Sequence, residues 1–204
     1  MSIESAITYF IAIFIFAITP GPGIFALISR GMSSGFSACI PLAAGMTLGD
    51  LIYLTLACYG LATLAEHWSE VFTVIRIVGA IYLIYLGWKM WTAPTHLADI
   101  PKDTTLGSVK GFVQGFLISS SNPKVILFYI AFLPTFIDLT QMTQSDIVLI
   151  AVLTLTALML GLLLISAGVS TARKAFRSHK AMRTLNQSAG SLMILAGVYL
   201  ATKS

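Results

Sequence analysis

Long stretches without a charged side chain are the feature that most constrains this sequence. They cover residues 5–29, 31–49, 147–172 and 184–202. Each approaches or exceeds the span of about 20 apolar residues that a transmembrane helix needs. Only 10% of the residues are charged, against about 25% in soluble domains. We therefore expect a single integral membrane domain, residues 1–204, in contact with the lipid bilayer.

The apolar segments predict an all-α fold with six transmembrane helices, of which the first and the fourth are broken. The breaks lie at 19–23 and 122–123, where prolines interrupt the pattern. Pro41 is expected in the first turn of the second helix. The predicted helices cover residues 3–29, 41–64, 71–91, 108–137, 147–171 and 187–202. Five spans with one re-entrant broken segment are the alternative.

The two halves of the chain resemble each other, because each begins with a broken helix. Repeat one covers about 3–91, repeat two about 108–202, and a cytoplasmic connection over about 92–107 joins them. Three helices is an odd number, so the second triplet enters the membrane in the opposite direction and the repeats are inverted. Paired broken helices in inverted repeats indicate the binding site of a transporter.

The two breaks are the predicted substrate site. Their residues are Pro20, Gly21, Pro22, Gly23, Asn122 and Pro123. A half-helix that starts at a break presents free amide donors at the positive end of its dipole. We therefore expect the breaks to bind a substrate carboxylate.

Charged residues within the apolar segments are further candidates. Asp50 lies about 13–15 Å into the second helix, near the membrane midplane. A carboxylate there costs at least about 2.5–3.5 kcal/mol, so it is expected to face a cavity or a partner. In the functional interpretation Asp50 binds the substrate ammonium, the coupling proton, or each in turn. The alternative is a purely structural ion pair.

Three other residues are placed with Asp50. Tyr53 is predicted to bind substrate, because it shares a small and polar helix face with Asp50. That face consists of Ala43, Thr47, Asp50, Tyr53 and Ala57. Lys124 directly follows the second break at a similar depth, so it is a candidate for substrate binding and for pairing with Asp50. Arg76, near the outer end of the third helix, is a candidate gate or ion-pair partner.

Positive charges are concentrated on one side of the predicted bundle. The first, third and fifth connections carry Arg30, Lys89, Lys102, Lys110, Arg173, Lys174, Arg177, Lys180 and Arg183, whereas the opposite side carries Arg76 and Lys203. Cytoplasmic loops are rich in Lys and Arg, so the odd-numbered connections are predicted to be cytoplasmic. The same loops explain the net charge of +4, which therefore does not indicate binding of nucleic acid.

The sequence lacks the patterns of enzymes and metal sites. Its three histidines are widely separated in polar connections, and it has no phosphate-binding loop or nucleophile triad. We predict no enzymatic activity, no metal and no cofactor. Gly79 and Gly87 suit either close helix packing or a homodimer.

Four short motifs occur in order along the chain. They are Pro-Gly-Pro at 20–22, Gly-Asp at 49–50, Leu-Gly-Trp-Lys at 86–89 and Asn-Pro-Lys at 122–124. With these motifs the chain resembles, over essentially its whole length, the LysE/RhtB family of bacterial amino-acid exporters. Its motifs are closest to those of the homoserine/threonine exporter-like subgroup.

The resemblance implies a secondary transporter of the bacterial inner membrane with an amino-acid substrate and protons as partners. It would export neutral amino acids or derivatives similar to homoserine, threonine or leucine. Residues 20–22 match the first break of the family, Asp50 its intramembrane acid, and residues 122–124 its second break. The rival interpretations are a channel for small solutes or ions and a non-transporting membrane scaffold subunit.

Overall fold

The computed structural model describes residues 1–67, 69–92, 107–137, 142–171 and 179–202, and all regular structure within these ranges is helical. The α-helices are α1 (Ile3–Ile18), α2 (Pro22–Ser34), α3 (Phe36–His67), α4 (Ser69–Trp91), α5 (Ser108–Ser120), α6 (Pro123–Leu127), α7 (Gln144–Thr171) and α8 (His179–Thr202). After α6 the chain continues as a π-helical turn, Phe128–Phe132, and a 3₁₀ turn, Leu133–Thr135. The predicted all-α fold is confirmed.

The first predicted break separates α1 from α2, which meet at 60°. Pro20 disfavours helical backbone at the residue before it, and Thr19 accordingly has φ −69° and ψ 121°. Pro22 then occupies the first turn of α2, where a missing amide is tolerated. The chain therefore ends one helix and begins another within four residues.

The second predicted break separates α5 from α6. α5 ends at Ser120, and Asn122 adopts extended backbone with φ −90° and ψ 108°. The Asn122 side chain accepts a hydrogen bond from the Lys124 amide, while Pro123 occupies the first turn of α6. Both breaks thus lie where proline predicts them.

Two predicted helix starts are wrong. α3 begins at Phe36 rather than at residue 41, so Pro41 lies inside the helix and not in its first turn. The reason is Gly35, whose φ of +84° lets the chain turn at once from α2 into α3. α8 begins at His179 rather than at residue 187. Arg30, assigned to the first connection, lies within α2 and is buried.

Glycines allow the helices to pack with their backbones in close contact. A Cβ atom at Gly45 of α3 would overlap the Phe112 carbonyl of α5, and one at Gly115 would overlap the Leu42 carbonyl. α7 packs against α1, α2 and α3. The helices that form the inner part of the bundle are thereby fixed around the two breaks.

α4 packs along α8 through a second set of glycines. A Cβ atom at Gly87 would lie 2.6 Å from the Gly190 carbonyl oxygen, and one at Gly190 would lie 2.5 Å from that of Gly87. Gly87 therefore serves packing within the chain. A homodimer stays a prediction.

The distribution of polar and apolar side chains suits a lipid environment. Large apolar side chains such as Leu56, Ile81 and Val148 are exposed on the outer faces of α3, α4 and α7, whereas Asp50 and Lys124 are buried. Exposed apolar area and buried charge are the reverse of the pattern of soluble proteins. The membrane location that the sequence predicts agrees with this arrangement.

Two helical ranges are long and apolar enough to cross a membrane, Phe36–Gly60 and Gln144–Val169, and the bent α1–α2 pair is a third candidate. Other parts of the sequence-based topology lie outside the described residues. These are residues 93–106 of the predicted connection, the cations Arg173, Lys174, Arg177 and Lys203, and the side chain of Arg76.

Candidate functional site

The two breaks lie side by side and line a cavity of about 40 Å³. This volume holds about three water molecules. The walls come from α1, α2, α3, α5, α6 and α7. The lining residues are Phe16, Ala17, Thr19, Gly21, Gly23, Ile24, Met46, Thr47, Asp50, Ile118, Ser119, Asn122, Lys124, Val125, Leu158 and Leu162.

Lys124 extends from the start of α6 to the end of α1. Its Nζ donates hydrogen bonds to the carbonyl oxygens of Phe16, at 3.1 Å, and Thr19, at 2.8 Å. The ammonium also lies 4.3 Å from the centroid of the Phe16 ring, a cation–π geometry. The last carbonyls of a helix lack intrahelical donors and carry its negative dipole end. α1 therefore provides the Lys124 ammonium with a binding place inside the bundle.

Asp50 lies on α3 and is 5% exposed. The Ser119 hydroxyl donates a hydrogen bond to its Oδ1. A Cβ atom at Gly49 would lie 2.9 Å from the Ser119 Cβ, so glycine at this position lets α5 approach closely enough for that bond. Asp50 and Lys124 line the same cavity, but the described residues show no direct ion pair between them.

The start of α2 is open toward the cavity. Its first backbone hydrogen bond runs from the Phe25 amide to the Gly21 carbonyl oxygen at 3.0 Å. Gly21 has no side chain that could cap the helix, and in the described part of the chain the Gly23 and Ile24 amides have no partner. Two amide donors therefore remain at the positive end of α2.

The structure brings together only part of the predicted site. Gly21, Gly23, Asp50, Asn122 and Lys124 line the cavity. Other predicted residues shape the surroundings without lining it, namely Pro20, Pro22, Pro123 and Tyr53. The Tyr53 hydroxyl instead donates to the Ser120 carbonyl oxygen at 2.6 Å and braces the end of α5. The role of each residue in substrate binding stays a prediction.

Several residues that line the cavity are not among the site residues predicted from the sequence. Thr47 had a usable signal, because it lies three residues before Asp50 on the same helix face, and that face is buried at Ala43, Thr47, Asp50 and Ala57 as predicted. Phe16, Leu158 and Leu162 had no such signal, because they are ordinary apolar residues in the sequence.

Within the described residues no cluster of His, Cys, Asp or Glu is suited to hold a metal ion.

The chain matches the family model of the LysE type translocators over residues 14–204. It is 31% identical over 206 residues to an uncharacterized membrane protein of Synechocystis sp., with 100% of this chain and 98% of that protein covered. It is 35% identical over 150 residues to a leucine efflux protein of Klebsiella pneumoniae, with coverage of 73% and 71%. A leucine efflux protein of Enterobacter sp. is 29% identical over 195 residues, with coverage of 92% and 90%.

No solved structure matches the chain. The family match nevertheless includes both breaks, Asp50 and Lys124. Proteins of this family are transporters and not enzymes. The resemblance in the sequence is confirmed, and the chain is a membrane transport protein that belongs to the LysE type translocator family.

Proposed function

We propose that this protein exports neutral, aliphatic amino acids similar to leucine across the bacterial inner membrane as a secondary carrier. The family match and the relatives named leucine efflux proteins support export of an amino acid. The observation that carries the proposal is the cavity at the two breaks, where one buried acid and one buried ammonium face the same small space.

The lining chemistry suits a zwitterion with an apolar side chain. An amino acid carries an ammonium group, which complements the Asp50 carboxylate. It also carries a carboxylate, which complements the Lys124 ammonium and the open start of α2. Ile118, Leu158 and Leu162 supply apolar walls. A site with few polar groups among apolar walls is typical of small-molecule recognition.

Helix packing supports two inverted repeats within one domain, residues 1–204. α3 packs against α5 of the other half, and α7 correspondingly packs against α1. α4 and α8, the last helices of the two triplets, pack against each other. An approximate twofold axis relating the halves would produce these pairings.

The size of the cavity supports transport by alternating access. Space for about three waters is too small for an amino acid such as leucine, which has nine non-hydrogen atoms. The two halves therefore have to move apart on one side at a time to admit and release substrate. Inverted-repeat carriers accomplish this by rocking one repeat against the other around the site.

Asp50 is the proposed coupling residue. An ionisable side chain within a membrane bundle is by default a candidate for an ion or substrate pathway. Asp50 would carry a proton in one half of the cycle and attract the substrate ammonium in the other. With the odd-numbered connections in the cytoplasm, protons entering the cell would drive amino-acid export.

Efflux from preloaded cells tests the proposal. Cells are loaded with a panel of labelled neutral amino acids, and wild type is compared with Asp50→Asn and with Glu4→Gln, which neutralises an exposed acid outside the site. We expect saturable, uncoupler-sensitive efflux from wild type and Glu4→Gln, and its loss in Asp50→Asn.

Each other outcome has a defined meaning. Normal export by a well-inserted Asp50→Asn variant would make Asp50 structural. Efflux that rises with the internal amino-acid concentration without saturating would favour the channel interpretation. The absence of efflux of any compound from well-inserted wild type would overturn the exporter proposal in favour of the scaffold subunit.

A further inference from the structure

The two half-helices that start at the breaks differ in how their first amides are used. At α6 the Asn122 side chain accepts from the Lys124 amide at 3.1 Å, so this helix start is capped from within. At α2 the capping position is Gly21, and the Gly23 and Ile24 amides have no partner in the described part of the chain. Of these two helix starts, only that of α2 therefore has amide donors that no described residue uses.

The Thr47 side chain is independent evidence for a ligand next to the start of α2. This side chain is buried, being 4% exposed, and it lines the cavity, yet its Oγ1 has no hydrogen-bond partner among the residues that the structure describes. Other threonines donate to the carbonyl four residues earlier in their helix, as Thr55 does to Leu51 at 2.8 Å, or pair with a side chain, as the buried Thr154 does with Tyr9. A buried hydroxyl without a partner is unfavourable. A ligand that accepts a hydrogen bond would remove this penalty.

Lys124 supplies a further donor beside the start of α2. Two of its three ammonium protons are used by the Phe16 and Thr19 carbonyls. A Cβ atom at Gly21 would lie 3.8 Å from Nζ, so the ammonium lies next to the capping position of α2. The third proton is available in the cavity.

These groups are all donors, and together they select an anion with several acceptor oxygens. We propose that the free α-carboxylate of the substrate binds between the Gly23 and Ile24 amides, the Thr47 hydroxyl and the Lys124 ammonium. The inference rests on the proposed function, in which Asp50 receives the substrate ammonium, and adds to it the individual donors that bind the carboxylate. The carrier therefore requires an unmodified amino-acid carboxylate.

The test compares an amino acid with its amide. Leucine and leucinamide share the side chain and the amino group, but only leucine has the carboxylate. Binding of each to purified protein in detergent is measured by calorimetry for wild type, Thr47→Val and Thr55→Val. Thr55→Val is the matched control, because Thr55 lies on α3 as well but is exposed and outside the cavity. The panel is extended to other neutral amino acids and their amides if leucine does not bind.

We expect wild type to bind leucine at least about tenfold more tightly than leucinamide. Thr47→Val should weaken leucine binding about tenfold, the contribution of one hydrogen bond to a charged group. It should change leucinamide binding by less than about twofold, and Thr55→Val should change neither. The melting temperature of ligand-free Thr47→Val should equal or exceed that of wild type, since within the described ranges the hydroxyl has no partner to lose.

Equal affinity of wild type for an amino acid and its amide would overturn the carboxylate site while leaving the exporter proposal intact. The carboxylate site would also be overturned if Thr47→Val, with an unchanged melting temperature, weakened the binding of leucine and leucinamide equally or weakened neither. If well-folded wild type binds no neutral amino acid in the panel, the proposed function itself fails.

Discussion

The Lys124 ammonium lies 2.8 Å from the carbonyl oxygen of Thr19 and so joins the two helix breaks. Lys124 follows the break in the second half of the chain, and Thr19 begins the break in the first half. The last carbonyls of a helix lack intrahelical donors, and at the end of α1 Lys124 supplies donors to the Phe16 and Thr19 carbonyls. Any motion that separates the halves at this point has to break or replace these bonds.

Replacement of Lys124 by methionine should therefore affect both stability and transport. The Thr19 carbonyl would lose the donor that Lys124 supplies, and the Phe16 carbonyl would keep only its 3.3 Å bond from the Thr19 amide. A buried group left unsatisfied costs about 1–3 kcal/mol. We expect a lower melting temperature in detergent and at least about a tenfold loss of amino-acid efflux, the effect of about 1.4 kcal/mol. Lys89→Met removes the same charge from an exposed position on α4 and should change neither quantity. Wild-type efflux and stability in Lys124→Met would contradict the role of this contact.

The breaks were predictable because proline acts on its immediate neighbours. Pro20 disfavours helical backbone at Thr19 through a clash between adjacent residues, and Asn122 caps a helix start by accepting from an amide only two residues further along the chain. Asp50 was predictable for another local reason, because a carboxylate within an apolar helix needs a polar environment.

Contacts between distant helices were not predictable from the sequence. Ser119 is one of three consecutive serines, and only the packing of α5 against α3 selects it as the partner of Asp50. Tyr53 shares the helix face of Asp50, but its longer side chain reaches past the cavity to Ser120. Leu162 lines the cavity only because α7 packs against the breaks.

Alanine at Gly45 should disrupt the packing of α3 against α5. Its Cβ would overlap the Phe112 carbonyl, and a backbone atom cannot move aside as the end of a side chain can. We expect loss of monodisperse protein in size-exclusion chromatography and a lower melting temperature. Gly60→Ala is the control on α3, because a Cβ there meets no atom of the described residues within 4 Å. It should be neutral or stabilising by about 0.4–1 kcal/mol. Equal behaviour of the two variants would show that the close approach is not required.

A buried hydrogen bond between Tyr9 and Thr154 should couple α1 to α7. The two hydroxyl oxygens are 2.7 Å apart. A double-mutant cycle with Tyr9→Phe and Thr154→Val should give a coupling energy of about 0.6 kcal/mol, the average of such bonds in a membrane protein, and no more than about 1.7 kcal/mol. Thr156→Val replaces the Thr154 variant in a control cycle, because the exposed Thr156 hydroxyl bonds to Val152 of its own helix. Additive effects of Tyr9→Phe and Thr154→Val would show that the bond contributes nothing.

Met46 should set the size of side chain that the carrier accepts. It lines the cavity beside the start of α2, where its methyl group occupies the space that a Cβ of Gly23 would need. Met46→Ala removes three non-hydrogen atoms from the wall, so bulkier substrates should gain relative to smaller ones. We expect the ratio of phenylalanine to leucine efflux, measured in competition, to rise roughly tenfold, since one methylene in an apolar pocket changes discrimination by about 10-fold or more. Met32→Ala, on α2 in the same apolar cluster but outside the cavity lining, should leave the ratio unchanged. A similar ratio in wild type and Met46→Ala would mean that the substrate side chain does not contact this wall.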